Sequence, residues 1–134
     1  MKTSRPIFLA AAVFLLLAFP YSAPAATHIV NQVDSTFSPN DMTITAGDVV
    51  EWHWSSGIHT VTSGTGPTDP VVGQLFDHAL DSTNTVFTHT FGAVGDFPYF
   101  CRVHFAFGMT GVIRVRPPTA TEEATWGRVK ALFQ

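Results

Sequence analysis

The segment Tyr99-Phe100-Cys101-Arg102-Val103-His104-Phe105-Ala106-Phe107-Gly108-Met109-Thr110-Gly111 constrains the fold more than any other stretch. It sets a thiol, an imidazole and a thioether at Cys-x2-His-x4-Met spacing. Apolar, β-prone runs flank it, residues 97–100 before and 112–115 after. The pattern predicts two antiparallel strands with a ligand loop at their tip. A soft thiolate, a borderline imidazole and a weaker axial thioether suit copper cycling between Cu(I) and Cu(II). Such a site takes a second imidazole from elsewhere in the chain. Zinc accepts a thiolate and two imidazoles, but an axial thioether adds little for it.

The amino-terminal segment has the pattern of an export leader. Lys2 and Arg5 form a basic start, residues 7–19 are apolar and uncharged, and Pro20 breaks the run. Ala23-Pro24-Ala25 is a small-x-small cleavage site, so residues 1–25 are expected to be removed. The apolar run falls short of the roughly 20 residues a membrane-spanning helix needs. No cysteine lies near the cut, so lipid attachment there is excluded. The remaining chain, from residue 26, carries five basic and ten acidic residues, a net charge of −5 with histidine neutral. With no basic cluster it is a poor nucleic-acid binder. Its length suits one sandwich core rather than two. The expected location is periplasmic or extracellular, and the expected state is a monomer without stable membrane insertion. A single cysteine allows no intramolecular disulfide, and a free thiol is unusual in an oxidising compartment. Its place in the loop favours a metal ligand over an inert buried thiol.

Along the chain, strands are expected at residues 27–33, 42–45, 49–54, 58–62, 85–91, 97–101 and 111–116. Residues 37–41 read as a turn, and residues 63–82 as a loop. In residues 85–91, Phe87, His89 and Phe91 share one face and Val86, Thr88 and Thr90 the other. About seven short strands separated by turn signals make the class all-β, a Greek-key β-sandwich over residues 26–116. Pro117-Pro118 closes that domain. Residues 117–134 form a tail of different character. Thr119 and Glu122 outline a capping box, and Trp126, Val129 and Phe133 share one helical face, which predicts a short amphipathic helix.

Five histidines compete for the missing ligand position: His28, His53, His59, His78 and His89. His59 follows a Ser-Gly turn at the start of a strand, where a side chain can reach a sheet end. His53 and His89 lie in mid-strand, and His28 is too near the new amino terminus to be held firmly. His78 is the serious rival and a candidate for a second, weak metal site.

The Cys-x2-His-x4-Met loop resembles that of the cupredoxins, especially the plastocyanin, amicyanin and pseudoazurin group. Phe37-Ser38-Pro39, the short strand after it, Gly47-Asp48 and Val50-Glu51-Trp52 resemble the amino-terminal half of the same family. Gly57-Ile58-His59-Thr60-Val61 resembles its upstream ligand motif, with Thr60 where many relatives have asparagine. The resemblance covers roughly residues 27–116. It implies His59, Cys101, His104 and Met109 as ligands of one copper ion, and a carrier of single electrons between larger redox proteins rather than an enzyme. Those partners are expected to dock near His104, Phe105 and Phe107, whose rings lie inside the ligand loop. A copper-delivery protein is the alternative, although the chain lacks Met- or His-rich tracts. A small copper oxidase would need a vacant coordination position or a second copper.

Overall fold

The computed structural model describes residues 24–118 and 131–133. Residues 1–23 of the proposed leader (1–25), and residues 119–130 and 134 of the tail proposed to form a short helix (117–134), lie outside the described residues. Among the described residues, nine strands form two packed, mixed sheets. They are β1 (Thr27–Val33), β2 (Thr36–Ser38), β3 (Asp41–Thr45), β4 (Val49–His53), β5 (His59–Ser63), β6 (Asp77–Leu80), β7 (Val86–Thr90), β8 (Gly95–Phe100) and β9 (Thr110–Arg116). One sheet runs β2-β1-β4-β7 and the other β3-β9-β8-β5-β6. The β1/β4 and β3/β9 pairs are parallel; the others are antiparallel.

Two strands exceed the expected seven. Thr36–Ser38 pairs with β1 where a turn was expected, and Asp77–Leu80 forms an edge strand inside the expected loop of residues 63–82. Both are too short to show a period of two, and both take their order from a neighbour's backbone. In β1, Ile29 and Val33 share the outer face and are about half exposed, whereas Val30 and Gln32 point inward. Placing Phe87, His89 and Phe91 on one side of β7 is correct: that side is the more buried one.

The core is aromatic. Trp52 of β4 stacks on Phe87 at 5.4 Å and meets Tyr99 of β8 edge-on at 5.3 Å. Phe76, Phe91 and Phe37 fill the space around them. Burial pushes the Tyr99 hydroxyl up to about 12, the nearby Trp52 indole pulling slightly the other way, so it stays protonated at any working pH. Tyr99 faces Gly111 across the β8/β9 ladder, and a Cβ at Gly111 would overlap the Tyr99 ring. Glycine is therefore required at the first turn of β9 away from the ligand loop. Gly111→Ala should cost about 1–3 kcal/mol by overpacking. Thermal melting checks this, with an expected fall of several degrees.

Candidate metal centre

The ligand loop is built by its own backbone. Cys101 N–H donates to the Met109 carbonyl at 3.0 Å, and Met109 N–H donates to the His104 carbonyl at 3.3 Å. A single 3-10 turn, Phe105–Phe107, fills the gap between the last two donors. Gly108 ends it in the left-handed conformation (φ 80°), which a side chain would disfavour. This turn is why four residues separate His104 from Met109 and the chain still returns to start β9.

Within the five-stranded sheet, β5 pairs with β8 through Thr62↔Phe100 and Ser63↔Tyr99. That register sets His59, the first residue of β5, beside Cys101. His59 Nδ1 and His104 Nδ1 are 3.1 Å apart, and Cys101 Sγ lies 3.8 and 3.7 Å from them. A point equidistant from the three atoms lies about 2.1 Å from each, the length of a metal–imidazole bond. Two ring nitrogens and a thiol converging this closely, with no polar group between them, fit a bound metal. Cys101 and Met109 are fully buried, His59 is 3% exposed and His104 is half-buried.

His59 is held in the tautomer a metal needs. Its Nε2–H donates to the Ser56 carbonyl at 3.0 Å, which leaves the Nδ1 lone pair facing Cys101. Burial, then the neighbouring His104, hold its pKa below the usual 6.5, against the pull of the Ser56 carbonyl, so the ring is neutral at pH 7. Gly57, at φ 81°, allows the close approach; a Cβ there would sit 2.9 Å from Nε2.

Two groups support the donors from behind. The fully buried Gln32 of β1 accepts from Ser55 N–H at 2.9 Å and Ser56 N–H at 3.2 Å through Oε1. It thereby pins the turn whose carbonyl orients His59. The second group is a ring of polar contacts behind the ligand loop. Thr60 N–H points at Cys101 Sγ at 3.4 Å, and Thr60 Oγ1 accepts from Arg102 N–H at 2.8 Å. Thr60 Oγ1 contacts Thr62 Oγ1, which donates to Asp77 Oδ1, and Asp77 holds the Arg102 guanidinium at 2.6 and 3.1 Å. The Arg102 contact lowers the Asp77 pKa, burial opposing it. Both partners are about 40% exposed, so the pair adds geometry to the loop more than energy. Thr60 thus bonds the ligand loop, and the buried Gln32 is legible in the sequence only as a polar residue in an alternating strand.

The other histidines stay apart from this cluster. His78 contacts the Ala79 carbonyl through Nδ1 and stacks on Phe87 at 4.8 Å. His53 pairs with Glu51 at 2.9 Å. His89 packs between Phe76 and Phe91, and burial lowers its pKa. His28 is not loose, contrary to expectation: its Nε2 lies 2.8 Å from Asp48. Among the described residues, His59, Cys101 and His104 form the one His/Cys/Asp/Glu group close enough to share a metal ion. Inside the loop, Phe107 is 80% exposed. Phe105, expected beside it at the surface, is instead half-buried, edge-on to Phe100 at 5.3 Å and packed over Gly66.

The family model for copper binding proteins of the plastocyanin/azurin family matches residues 25–116. The chain belongs to that family. Its cofactor is one copper ion. Plastocyanin from the fern Dryopteris crassirhizoma, in its oxidised form, is 20% identical, with a TM-score of 0.55 over 66% of this chain and all of that one. An amicyanin mutant is 17% identical, with a TM-score of 0.54 over 72% of this chain and 87% of that one. A purple cupredoxin from Nitrosopumilus maritimus is 25% identical, with a TM-score of 0.54 over 68% of this chain and 99% of that one. No curated protein sequence matches the chain. Among the described residues, no helix is long and apolar enough to cross a membrane.

Gln32→Leu should loosen the turn that aims His59, at a cost of about 1 kcal/mol for each hydrogen bond lost. Melting should show the loss, and the absorption of the copper-loaded protein should shift as well. A Gln32→Leu protein with an unchanged spectrum would mean that the turn holds itself.

Proposed function

We propose that this chain is an exported blue copper protein that carries single electrons between larger redox proteins, and is not itself an enzyme. The observation that carries this reading is the convergence of His59 Nδ1, His104 Nδ1 and Cys101 Sγ, with His59 oriented by the Ser56 carbonyl and the Cys101 sulfur facing Thr60 N–H. In this reading His59, Cys101 and His104 would hold the copper ion, with Met109 as a weaker fourth donor. Bound copper supplies a one-electron couple between Cu(II) and Cu(I).

The chain's own residues do the rest. Cys101 binds as thiolate, with Thr60 N–H directed at its sulfur. Met109, sealed in the core, would supply a soft sulfur donor that favours the reduced state. Ser56 and Gln32 keep His59 from turning, and Thr60, Asp77 and Arg102 keep the loop from opening, so little rearranges when an electron arrives. Phe100 and Phe105 exclude water behind the loop. His104 reaches toward the surface beside the exposed Phe107 ring, their centroids 6.2 Å apart. With Ile58 (70% exposed) and Val103 (52% exposed), Phe107 gives the ligand end an apolar docking face for a redox partner.

One equivalent of Cu(II) should give an intense blue band that ascorbate bleaches. A faint or unbleachable product would favour copper delivery. His59→Ala should abolish the band, and an intact band would sink His59 as a ligand. Phe107→Ser should slow electron exchange with the partner severalfold while leaving the spectrum alone. Unchanged exchange would move the docking face elsewhere.

A further inference from the structure

The end of the sandwich away from the ligand loop holds a buried carboxylate. β9 leaves the loop at Thr110 and ends at Arg116, beside Thr45 of β3, and Asp48 lies in the turn just beyond. Its side chain is 10% exposed. Oδ2 accepts from Thr45 N–H at 3.0 Å and contacts His28 Nε2 at 2.8 Å. Oδ1 accepts from the backbone nitrogen of Ala26 at 2.9 Å. The Ala26 carbonyl in turn accepts from Val49 N–H at 2.8 Å. Ala26 is therefore clamped through both of its backbone groups, one residue before β1, and residues 24–27 are exposed. The sequence puts the leader cut at this same bond, after Ala25.

We propose that Asp48 is the receiving site for the α-ammonium group of Ala26, released when a leader peptidase hydrolyses the Ala25–Ala26 bond. The inference rests on the proposed leader. In the cleavage, water adds its hydroxyl to the Ala25 carbonyl carbon, the C–N bond breaks, and the Ala26 nitrogen takes up protons to become an ammonium. An α-amino group titrates near 8, so it is charged at neutral pH. Before the cut, Ala26 offers Asp48 one neutral N–H. After it, the same nitrogen offers a full positive charge, and charge-assisted hydrogen bonds are roughly twice as strong as neutral ones. Asp48 is ready to receive it. Burial pushes its carboxyl up, but the contacts from His28, Ala26 and Thr45 together hold it below the usual 3.8, so it is ionised. Processing thus adds an ion pair that the uncut chain cannot make. The pair ties β1 to the β3–β4 turn, and it touches none of the copper donors.

The test compares two exported proteins, both copper-free for melting. One carries its own leader; the other carries a leader variant whose cut is moved by one residue, so that Ala25 is retained. Mass spectrometry reads the amino terminus of each. The protein starting at Ala26 should melt roughly 4–8 °C higher, the shift expected for about 1 kcal/mol in a domain of this size. Selective acetylation of its α-amine should remove that advantage, and Asp48→Asn should make the two starts equal. The blue band after copper loading should be the same in all. Equal melting of the two starts with Asp48 present would overturn the proposal, as would a difference that survives Asp48→Asn. An exported protein that starts elsewhere would refute only the leader reading, because chains made to begin at residues 25 and 26 still decide the pairing.

Discussion

The antiparallel meeting of β5 and β8 is the contact on which the rest depends. It is only two residue pairs long, yet it sets His59 against Cys101 over a separation of 42 residues. A slip of one residue would turn His59 to the other face of the sheet and leave the thiol without its nitrogen partner. The register is guarded from both sides. Val61 and Thr62 are fully buried in β5, and Tyr99 and Phe100 are almost completely buried in β8, so no shifted pairing keeps the core filled.

Around that meeting point the protein spends its polar groups on stiffness. Ser63 Oγ accepts from Leu75 and Phe76 N–H, which ties the long connection between β5 and β6 back to the strand that carries His59. Gln32 fixes the turn before His59, and Thr60 fixes the loop after Cys101. Thr60 N–H points at the Cys101 sulfur itself, whereas Gln32 and Ser63 act on the turn and the strand that carry His59. Conservative changes among them should therefore tune the centre without emptying it.

Much of this was legible in the sequence. Cys101, His104 and Met109 sit at a spacing that one 3-10 turn explains, and the Ser-Gly turn before His59 marked it among five candidates. Strand faces were readable where a strand is half-buried and alternates, as in β7. They were not readable in β1, where Gln32 is the inward residue and the apolar Ile29 and Val33 face out. A buried glutamine is recognisable only when the groups it bonds are known, and those lie 23 and 24 residues away. The edge strands β2 and β6 escaped for a related reason: they order against a neighbour, not through a pattern of their own. Phe105 was misplaced because a tight turn sends residues two apart to different sides, and the space over Gly66 that receives one ring belongs to a distant loop.

The split between local and distant donors also sets how metal and folding are coupled. Cys101, His104 and Met109 lie within nine residues, so an unfolded chain already carries a short chelating segment. In the proposed ligand set, His59 would join only after the sandwich closes. Metal binding to the unfolded chain subtracts from the stabilisation that binding gives the native one. With the ligands proposed above, copper would stabilise this fold only by the margin that His59 and burial add to the loop's own affinity. A protein that has lost His59 could still hold copper in a melted state, and metal content alone would then say nothing about whether the chain is folded.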